Sequence, residues 1–131
     1  MPGKRARKKP QSLEGALRTY ALALPEASED FPWEHRAFKV RGKSFAFLVA
    51  EKGTLVLTVK LPKTGFQALA LPFVKPTGYG LGKSGWVTAR IPPRVSPAGA
   101  YGKQCRDWIA ESYRAVAPKR VIARLESRER P

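Results

Sequence analysis

The sequence is poor in the residues that build reactive or cross-linked sites. Cys105 is the only cysteine and His35 the only histidine among 131 residues. A single cysteine excludes a disulfide within the chain and any metal cluster built from several thiolates. A lone histidine next to Glu34 lacks the positioned partner and pocket that acid–base catalysis needs. We therefore predict a protein that is not an enzyme and that holds neither a cofactor nor a metal.

Long apolar runs are also missing. No stretch of the sequence approaches the roughly 18 apolar residues of a membrane-spanning helix. The basic N-terminus is not followed by the apolar segment of a secretory signal. The cysteine count suits a reducing compartment. We expect a cytoplasmic protein with no membrane partner.

Acidic residues are scarce. Ten Asp and Glu residues face 25 Lys and Arg residues, which gives a net charge of +15. Residues 1–11 hold five basic groups and no acid, whereas residues 12–118 hold 15 basic and 8 acidic groups. A positive excess of this size attracts polyanions such as DNA or RNA. The alternative is a basic surface that only keeps the protein soluble.

Residues 12–127 show the periodicities of one α+β domain, between a disordered basic tail (1–11) and a short disordered end (128–131). The acidic segment PEASEDFPWEH (25–35) is predicted to be a loop. Alternating apolar residues separated by short turns then predict an antiparallel meander. The predicted helices are 12–23, 63–71, a long one from Ser96 and a short one at 119–127; the predicted strands are 37–41, 44–50, 54–60, 73–79 and 86–91.

The order of these elements, α-β(3)-α-β(2)-α, predicts two layers: an antiparallel sheet of about five strands with helices on one face. The helix at 63–71 is expected to bury Phe66 and Leu69. Ser96-Pro97 is expected to start the long helix, because Ser caps helices and Pro is tolerated in the first turn. Cys105 falls on the apolar face of that helix, where a buried, inert thiol is expected.

The stretch TGYGLGKSGWVTARI (77–91) contains G-x-G-x-x-G at positions 80–85. A phosphate-binding loop of this type must open a helix whose N-terminus meets the phosphate. Here residues 86–91 alternate as a strand does, and Pro92-Pro93 follows. We therefore predict a glycine-rich hairpin loop with Lys83 at its tip, and no nucleotide site.

Strand alternation also predicts which side chains share a face. If Val87, Ala89 and Ile91 face the helices, then Trp86, Thr88 and Arg90 face the other way. The same rule places Thr58 and Lys60, and Lys39 and Arg41, on that uncovered face. Such a face could hold a nucleic-acid backbone and stack a base on Trp86. It could equally be a sheet-packing tryptophan among ordinary solvated cations.

Four segments carry a resemblance to a known family: LPEASEDFPW (24–33), FKVRGKSFAFL (38–48), GYGLGKSGWVTARI (78–91) and SYRAVAPKR (112–120). Over about residues 13–125, the sequence resembles the MmcQ/YjbR family of small bacterial proteins. A double-wing DNA-binding motif has been described for this family. The resemblance implies a secretion-chaperone-like fold and DNA binding. Family members often carry a polar residue and His before the tryptophan of the last strand. Here Ser84-Gly85 precede Trp86, so no role of that histidine is carried over.

These observations lead to a first hypothesis of a non-enzymatic DNA-binding protein, with DNA preferred over RNA, phosphate contacts dominant and weak sequence specificity. The expected state is a monomer or homodimer. The predicted contacts are Lys39, Arg41, Lys43, Lys60, Lys83, Trp86, Arg90 and Arg94, with Lys4, Arg5, Arg7, Lys8 and Lys9 of the tail.

Two alternatives remain open. The first is a protein-binding adaptor that could form a dimer, with an apolar patch formed by Leu48, Val56 and Trp86. The second is a small-ligand pocket beneath the second helix, near Phe66, Phe73 and Tyr79.

Overall fold

A computed structural model describes residues 12–31, 35–78, 80–92 and 95–129. Its strands form one six-stranded antiparallel sheet in the order β1-β2-β3-β4-β6-β5. The predicted α+β class is confirmed, with one more strand than expected. The elements are α1 (Leu13–Leu22), β1 (Ala27–Asp30), β2 (Arg36–Val40), β3 (Lys43–Glu51), β4 (Thr54–Lys60), α2 (Gly65–Leu69), β5 (Val74–Pro76), a 3₁₀ turn (Leu81–Ser84), β6 (Trp86–Ile91), α3 (Ala100–Val116) and α4 (Lys119–Glu129).

The additional strand, β1, lies in the segment predicted to be an acidic loop. Its residues pair antiparallel with β2 at one edge of the sheet. Glu29 of this strand accepts hydrogen bonds from Arg18 of α1 at 2.9 Å and from Arg36 of β2 at 2.6 Å. These charge-assisted bonds hold at the edge a polar segment with little β-propensity of its own.

Two tight hairpins shape the centre of the sheet. Arg41 and Gly42 connect β2 to β3 with φ angles of 52° and 81°, and Lys52 and Gly53 connect β3 to β4 with 48° and 84°. Two successive positive φ angles define the two-residue turn whose twist matches that of antiparallel strands. The turns predicted at both places are confirmed.

A bulge interrupts the pairing of β2 with β3. Phe38 pairs with Ala46 but Lys39 pairs with Ser44, so Phe45 is the extra residue. Its ring is buried and meets the ring of Tyr113 of α3 edge-on, with centroids 5.3 Å apart. The bulge therefore turns an aromatic side chain towards the helices.

Ser112 of α3 completes the hydrogen bonding beside this bulge. Its buried hydroxyl donates to the carbonyl oxygen of Phe45 at 2.5 Å and accepts from the backbone N–H of Lys60 at 2.8 Å. One residue further along α3, the hydroxyl of Tyr113 donates to the carbonyl oxygen of Pro25 at 2.8 Å. The Ser-Tyr pair thus anchors α3 to both the sheet and the end of α1.

The core lies between the sheet and the helices. Leu17 of α1, Ile109 of α3 and Val121 of α4 are fully buried against strand residues such as Leu57 and Val87. Within α3, Gly102 is buried, and a Cβ atom there would lie 2.0 Å from the carbonyl oxygen of Pro97. Among the described residues, no helix is both long and apolar enough to cross a membrane.

The prediction that the helix at 63–71 buries Phe66 and Leu69 is wrong. On α2, Phe66 is 89% exposed and Leu69 is 40% exposed. The carboxylate of Glu111 on α3 accepts bonds from the backbone N–H groups of Lys63 and Thr64 at 2.6 and 3.0 Å. The start of α2 is fixed in this way. Its small residues, Gly65 and Ala68, then face inwards, and the large ones face outwards.

The last two helices also differ from the prediction at their ends. Helix α3 begins at Ala100, and Ser96 instead accepts a hydrogen bond from the N–H of Ala98 at 3.1 Å. Ser96 therefore stabilises a turn that precedes the helix. Helix α4 continues to Glu129, two residues beyond the predicted end at 127.

Candidate nucleic-acid interface

The face of the sheet that points away from the core is called the outer face here. On β6, Val87, Ala89 and Ile91 are buried in the core. Trp86 and Thr88 are half-buried and Arg90 is exposed, so the predicted alternation is confirmed. In register with them, Arg90 pairs with Val56, Thr88 with Thr58 and Trp86 with Lys60. On strands β3, β4, β6 and β5, the outer face carries Phe47, Val49, Val56, Thr58, Lys60, Lys75, Trp86, Thr88 and Arg90.

Two aromatic rings meet on the outer face. Phe47 lies on β3 and Trp86 on β6, with β4 between them. Their ring centroids are 5.9 Å apart and the rings are inclined at 49°. Both side chains are half-buried, so the rings support one another and keep part of their surface open. Lys60, directly opposite Trp86, places a cation beside this pair.

A row of threonine hydroxyls runs beside the rings. Thr88 lies 3.1 Å from the hydroxyl of Thr58 on β4 and 3.0 Å from that of Thr77, which follows β5. Thr88 also lines an open pocket of 280 Å³ together with Lys75, Arg90, Pro72 and Phe73. The pocket thus combines two exposed cations, a hydroxyl and an apolar wall.

Two of the predicted cations have close acidic partners. Lys39 lies 3.1 Å from the carboxylate of Asp30, and Arg41 binds both carboxylate oxygens of Glu26. The hydrogen bond from Lys39 lowers the pKa of Asp30, and that from Arg41 lowers the pKa of Glu26. These acids belong to the segment 25–35 that was predicted to be a loop.

The other predicted cations are less constrained. Arg90 meets Glu51 at 3.5 Å, and both side chains are largely exposed, so this pair contributes little. Lys60 and Lys83 have no carboxylate within ion-pair distance among the described residues. Lys43 is exposed beside the β2–β3 turn. Arg94 and the tail residues Lys4, Arg5, Arg7, Lys8 and Lys9 lie outside the described residues.

The glycine-rich stretch forms the connection between β5 and β6. Gly80 and Gly85 flank the 3₁₀ turn with φ angles of 79° and 92°, and Lys83 is exposed within it. Strand β6 follows immediately. The strand therefore occupies the position where a phosphate-binding loop would open a helix.

The candidate reactive residues are dispersed in the structure. Cys105 is buried in the core, and burial raises the pKa of its thiol to about 12. His35 is exposed just before β2. Arginines pair with Glu26 and Glu29, and Glu34 lies outside the described residues. Within the described ranges, no group of three His, Cys, Asp or Glu side chains is arranged to hold a metal.

The apolar patch predicted for an adaptor is not present as stated. Leu48 is 1% exposed because it faces the core, and Val56 is 8% exposed on the outer face between Val49 and Arg90. The large exposed apolar side chains among the described residues are instead Phe31, Phe66, Leu69 and Leu81, of which Phe66 and Leu69 lie together on α2.

The pocket predicted beneath the second helix is also displaced. Phe66 points into solvent, whereas Phe73 packs against Tyr101 and Trp108 at 5.3 and 6.3 Å. Tyr79 lies outside the described residues. A groove of 390 Å³ runs instead between α2 and α3, lined by Thr64, Gln67, Ala68, Leu71, Gln104, Asp107, Trp108 and Glu111.

Two residues of the outer face were missed in the sequence. Phe47 sits in the run SFAFLVA, where both alternating sets are apolar and neither face is distinguished. Lys75 lies on a strand of only three residues. Lys75 pairs with Thr88 of β6, and antiparallel pairing of the two strands on either side of the glycine-rich loop is the signal that places both side chains on one face.

Comparison with known proteins supports one family. A family model described as YjbR matches residues 22–115. A solved structure of a Deinococcus radiodurans protein, described by the domain family DUF419, is 30% identical, covers 74% of this chain and 72% of its own, and has a TM-score of 0.56. A Pseudomonas syringae protein of solved structure is 21% identical, with 75% and 93% coverage and a TM-score of 0.55, and shows the fold alone. No curated protein matches the chain.

Proposed function

The chain belongs to the YjbR family, as the resemblance predicted, and from that premise we propose that it is a non-enzymatic, cytoplasmic DNA-binding protein. It holds nucleic acid mainly through phosphate contacts and reads sequence weakly. DNA is the expected partner, ahead of RNA. The net charge of +15 supports this proposal, since phosphate neutralisation supplies most non-specific affinity.

The observation that carries the proposal is the composition of the outer face. Lys60, Lys75 and Arg90 lie on it around Trp86, and Lys83 extends from the loop that leads into β6. Glu51, at the end of β3, is the acid paired with this group. Helices α1 and α3 lie on the opposite side of the sheet, so neither of them can read base edges from the outer face. Weak sequence specificity follows.

The described cations are not equal candidates. Lys60 and Lys83 can approach a phosphate without breaking an ion pair seen among the described residues. Lys39 and Arg41 would first have to leave Asp30 and Glu26. We therefore expect Lys60 and Lys83 to contribute more to affinity than Lys39 and Arg41. The sequence alone did not distinguish between these two pairs.

A salt titration tests the proposal. Affinity for a fluorescent oligonucleotide should fall linearly on a log–log plot against salt concentration, with a slope of about 0.7–0.9 per phosphate contact. Replacing Lys60 and Lys83 together by alanine should reduce that slope by about two. Removal of residues 1–11 separates the contribution of the tail.

Lys63→Ala is the matched control, because this exposed lysine lies beside α3 on the helix side. It removes one charge and should leave the slope nearly unchanged. A slope near zero for the intact protein would refute DNA binding through phosphates.

One observation favours a second candidate, a protein-binding adaptor. Phe66 and Leu69 expose apolar surface on α2, beside the 390 Å³ groove and away from the outer face. Large exposed aromatics are frequent anchors of protein interfaces. If the adaptor hypothesis holds, the protein should sediment as a homodimer at micromolar concentration and Phe66→Ser should dissociate it. A monomer in both cases contradicts the dimeric form of this candidate.

A further inference from the structure

The aromatic pair on the outer face is shaped for unpaired bases. Trp86 rests against Phe47 at 5.9 Å, and both are half-buried. A side chain that wedges into a duplex must project from the surface, which a ring packed in this way does not do. The π-faces of bases are covered in a duplex and open in a single strand, and proteins that bind single strands stack bases on such aromatic platforms.

A pocket with the donors for a phosphate is partly lined by residues of the same strand, β6. The open pocket has a volume of 280 Å³ and is lined by Lys75, Thr88 and Arg90 together with Pro72 and Phe73. That space is sufficient for a phosphate group and part of its sugar. Two cations and a hydroxyl supply the donors that a phosphate oxygen requires. Arg90 is held only by its long, exposed contact with Glu51, so it can exchange that carboxylate for a phosphate.

The two features are aligned along β6. Arg90 lies four residues after Trp86 on this strand, about 13 Å at roughly 3.3 Å per residue. Thr88 lies between them, and Lys60 stands across from Trp86. A nucleic-acid strand lying along β6 would therefore meet a cation at each end of β6 and an aromatic surface at the Trp86 end.

We propose that the nucleic acid bound by this protein is single-stranded, with a base stacked on the Phe47–Trp86 pair and a phosphate held by Lys75, Thr88 and Arg90. The inference rests on the proposed function and narrows it from DNA in general to unpaired strands. Positive charge on the outer face complements the backbone, and the rings recognise the base without regard to its identity.

The experiment compares three probes by fluorescence anisotropy: a 15-nucleotide dT strand, a 15-nucleotide U strand and a 15-base-pair DNA duplex. The native protein should bind the dT strand more tightly than the duplex at equal salt. Trp86→Leu, which keeps apolar volume but removes the π-face, should weaken binding of the dT strand by about 5- to 150-fold. Trp86→Phe should restore most of that loss, and the duplex affinity should change little in either variant.

The pocket is tested with Lys75→Ala, which should lower the salt slope for the dT strand by about 0.7. Lys63→Ala again provides the matched charge control. Thermal melting of each variant confirms that it is folded before its affinity is compared. The U strand shows whether the site distinguishes RNA from DNA. Equal affinity for both strands would agree with recognition by stacking but would contradict the proposed preference for DNA.

Two different failures can be told apart. Salt-dependent binding that favours the duplex overturns the single-strand inference and leaves DNA binding intact. Absence of salt-dependent binding to all three probes overturns both. Binding of the strand that survives Trp86→Leu but not Lys75→Ala overturns the stacking part of the proposal.

Discussion

Replacing Ser112 by alanine should destabilise the protein strongly for so small a change. The serine hydroxyl donates to the carbonyl oxygen of Phe45 and accepts from the N–H of Lys60, and the residue is fully buried. Alanine leaves both backbone groups without a partner, and a buried unpaired group costs about 1–3 kcal/mol. Allowing for some relaxation of the bulge, we expect unfolding free energy to fall by about 2–4 kcal/mol, a large part of the roughly 5–15 kcal/mol typical of a domain.

Urea denaturation measures this loss as a lower midpoint with an unchanged m-value. Hydrogen exchange gives a local readout, because the amide of Lys60 loses its acceptor and should exchange faster than its neighbours on β4. Ser28→Ala makes the same chemical change at an exposed position of β1 and should change stability by less than about 0.5 kcal/mol. If Ser112→Ala behaved like Ser28→Ala, the hydroxyl would not be supporting the bulge.

Three further predictions concern other positions. Gly102→Ala should lower the unfolding free energy by about 1–3 kcal/mol, because the new methyl group would meet the backbone of Pro97. Gly65→Ala is the control, since its new methyl group would make an ordinary contact at 3.6 Å and should not cause this loss. Equal losses for the two variants in denaturation would contradict the close approach at Gly102. The thiol of Cys105, with its pKa raised to about 12 by burial, should react with a thiol reagent at pH 7.5 only after unfolding; fast labelling of the native protein would contradict its burial. The hydrogen bond from Arg18 lowers the pKa of Glu29 in the folded state, so its stabilisation, about 1 kcal/mol, is present above the unfolded pKa near 4.3 and is lost as pH falls through the folded value. Glu29→Gln should therefore flatten the decline of melting temperature between pH 6 and 3, and an unchanged decline would exclude this carboxylate as a cause.

Local patterns in the sequence were sufficient for most of the sheet. Strand β6 was predicted with its bounds and its facing, because Val87, Ala89 and Ile91 alternate with polar neighbours. The two hairpin turns followed from Arg41-Gly42 and Lys52-Gly53 for the same local reason. In each case the determining interactions lie within a few residues of one another.

The remainder depended on distant residues. Strand β1 is polar and short, and it is held by Arg18 and Arg36, 11 and 7 residues from Glu29. Strand β6 lies between β4 and β5 in the sheet. The order in which strands pair cannot be read from the local periodicity of the sequence. The exposure of Phe66 follows from Glu111, whose carboxylate binds backbone 47 and 48 residues away.

The candidate site was predictable in position but not in its charge balance. Trp86 and Lys60 lie where strand alternation places them. The pairing of Lys39 with Asp30 was unpredictable, because it requires the acidic segment to return alongside β2. A basic residue on the correct face is therefore a weaker indication of binding than a basic residue without an acidic neighbour.

The row of threonines on the outer face can form a chain of hydrogen bonds in which every hydroxyl donates in the same direction. Each hydroxyl carries one proton, so Thr58, Thr88 and Thr77, spaced 3.1 and 3.0 Å apart, can donate in sequence towards either end. Without a charge at either end of the row, the two directions of donation compete. An anion at one end selects the order that donates towards it, and each hydroxyl strengthens the next. A negative charge bound at the β5 edge would therefore favour one orientation of the hydroxyl hydrogens as far as β4, with no need to displace the backbone.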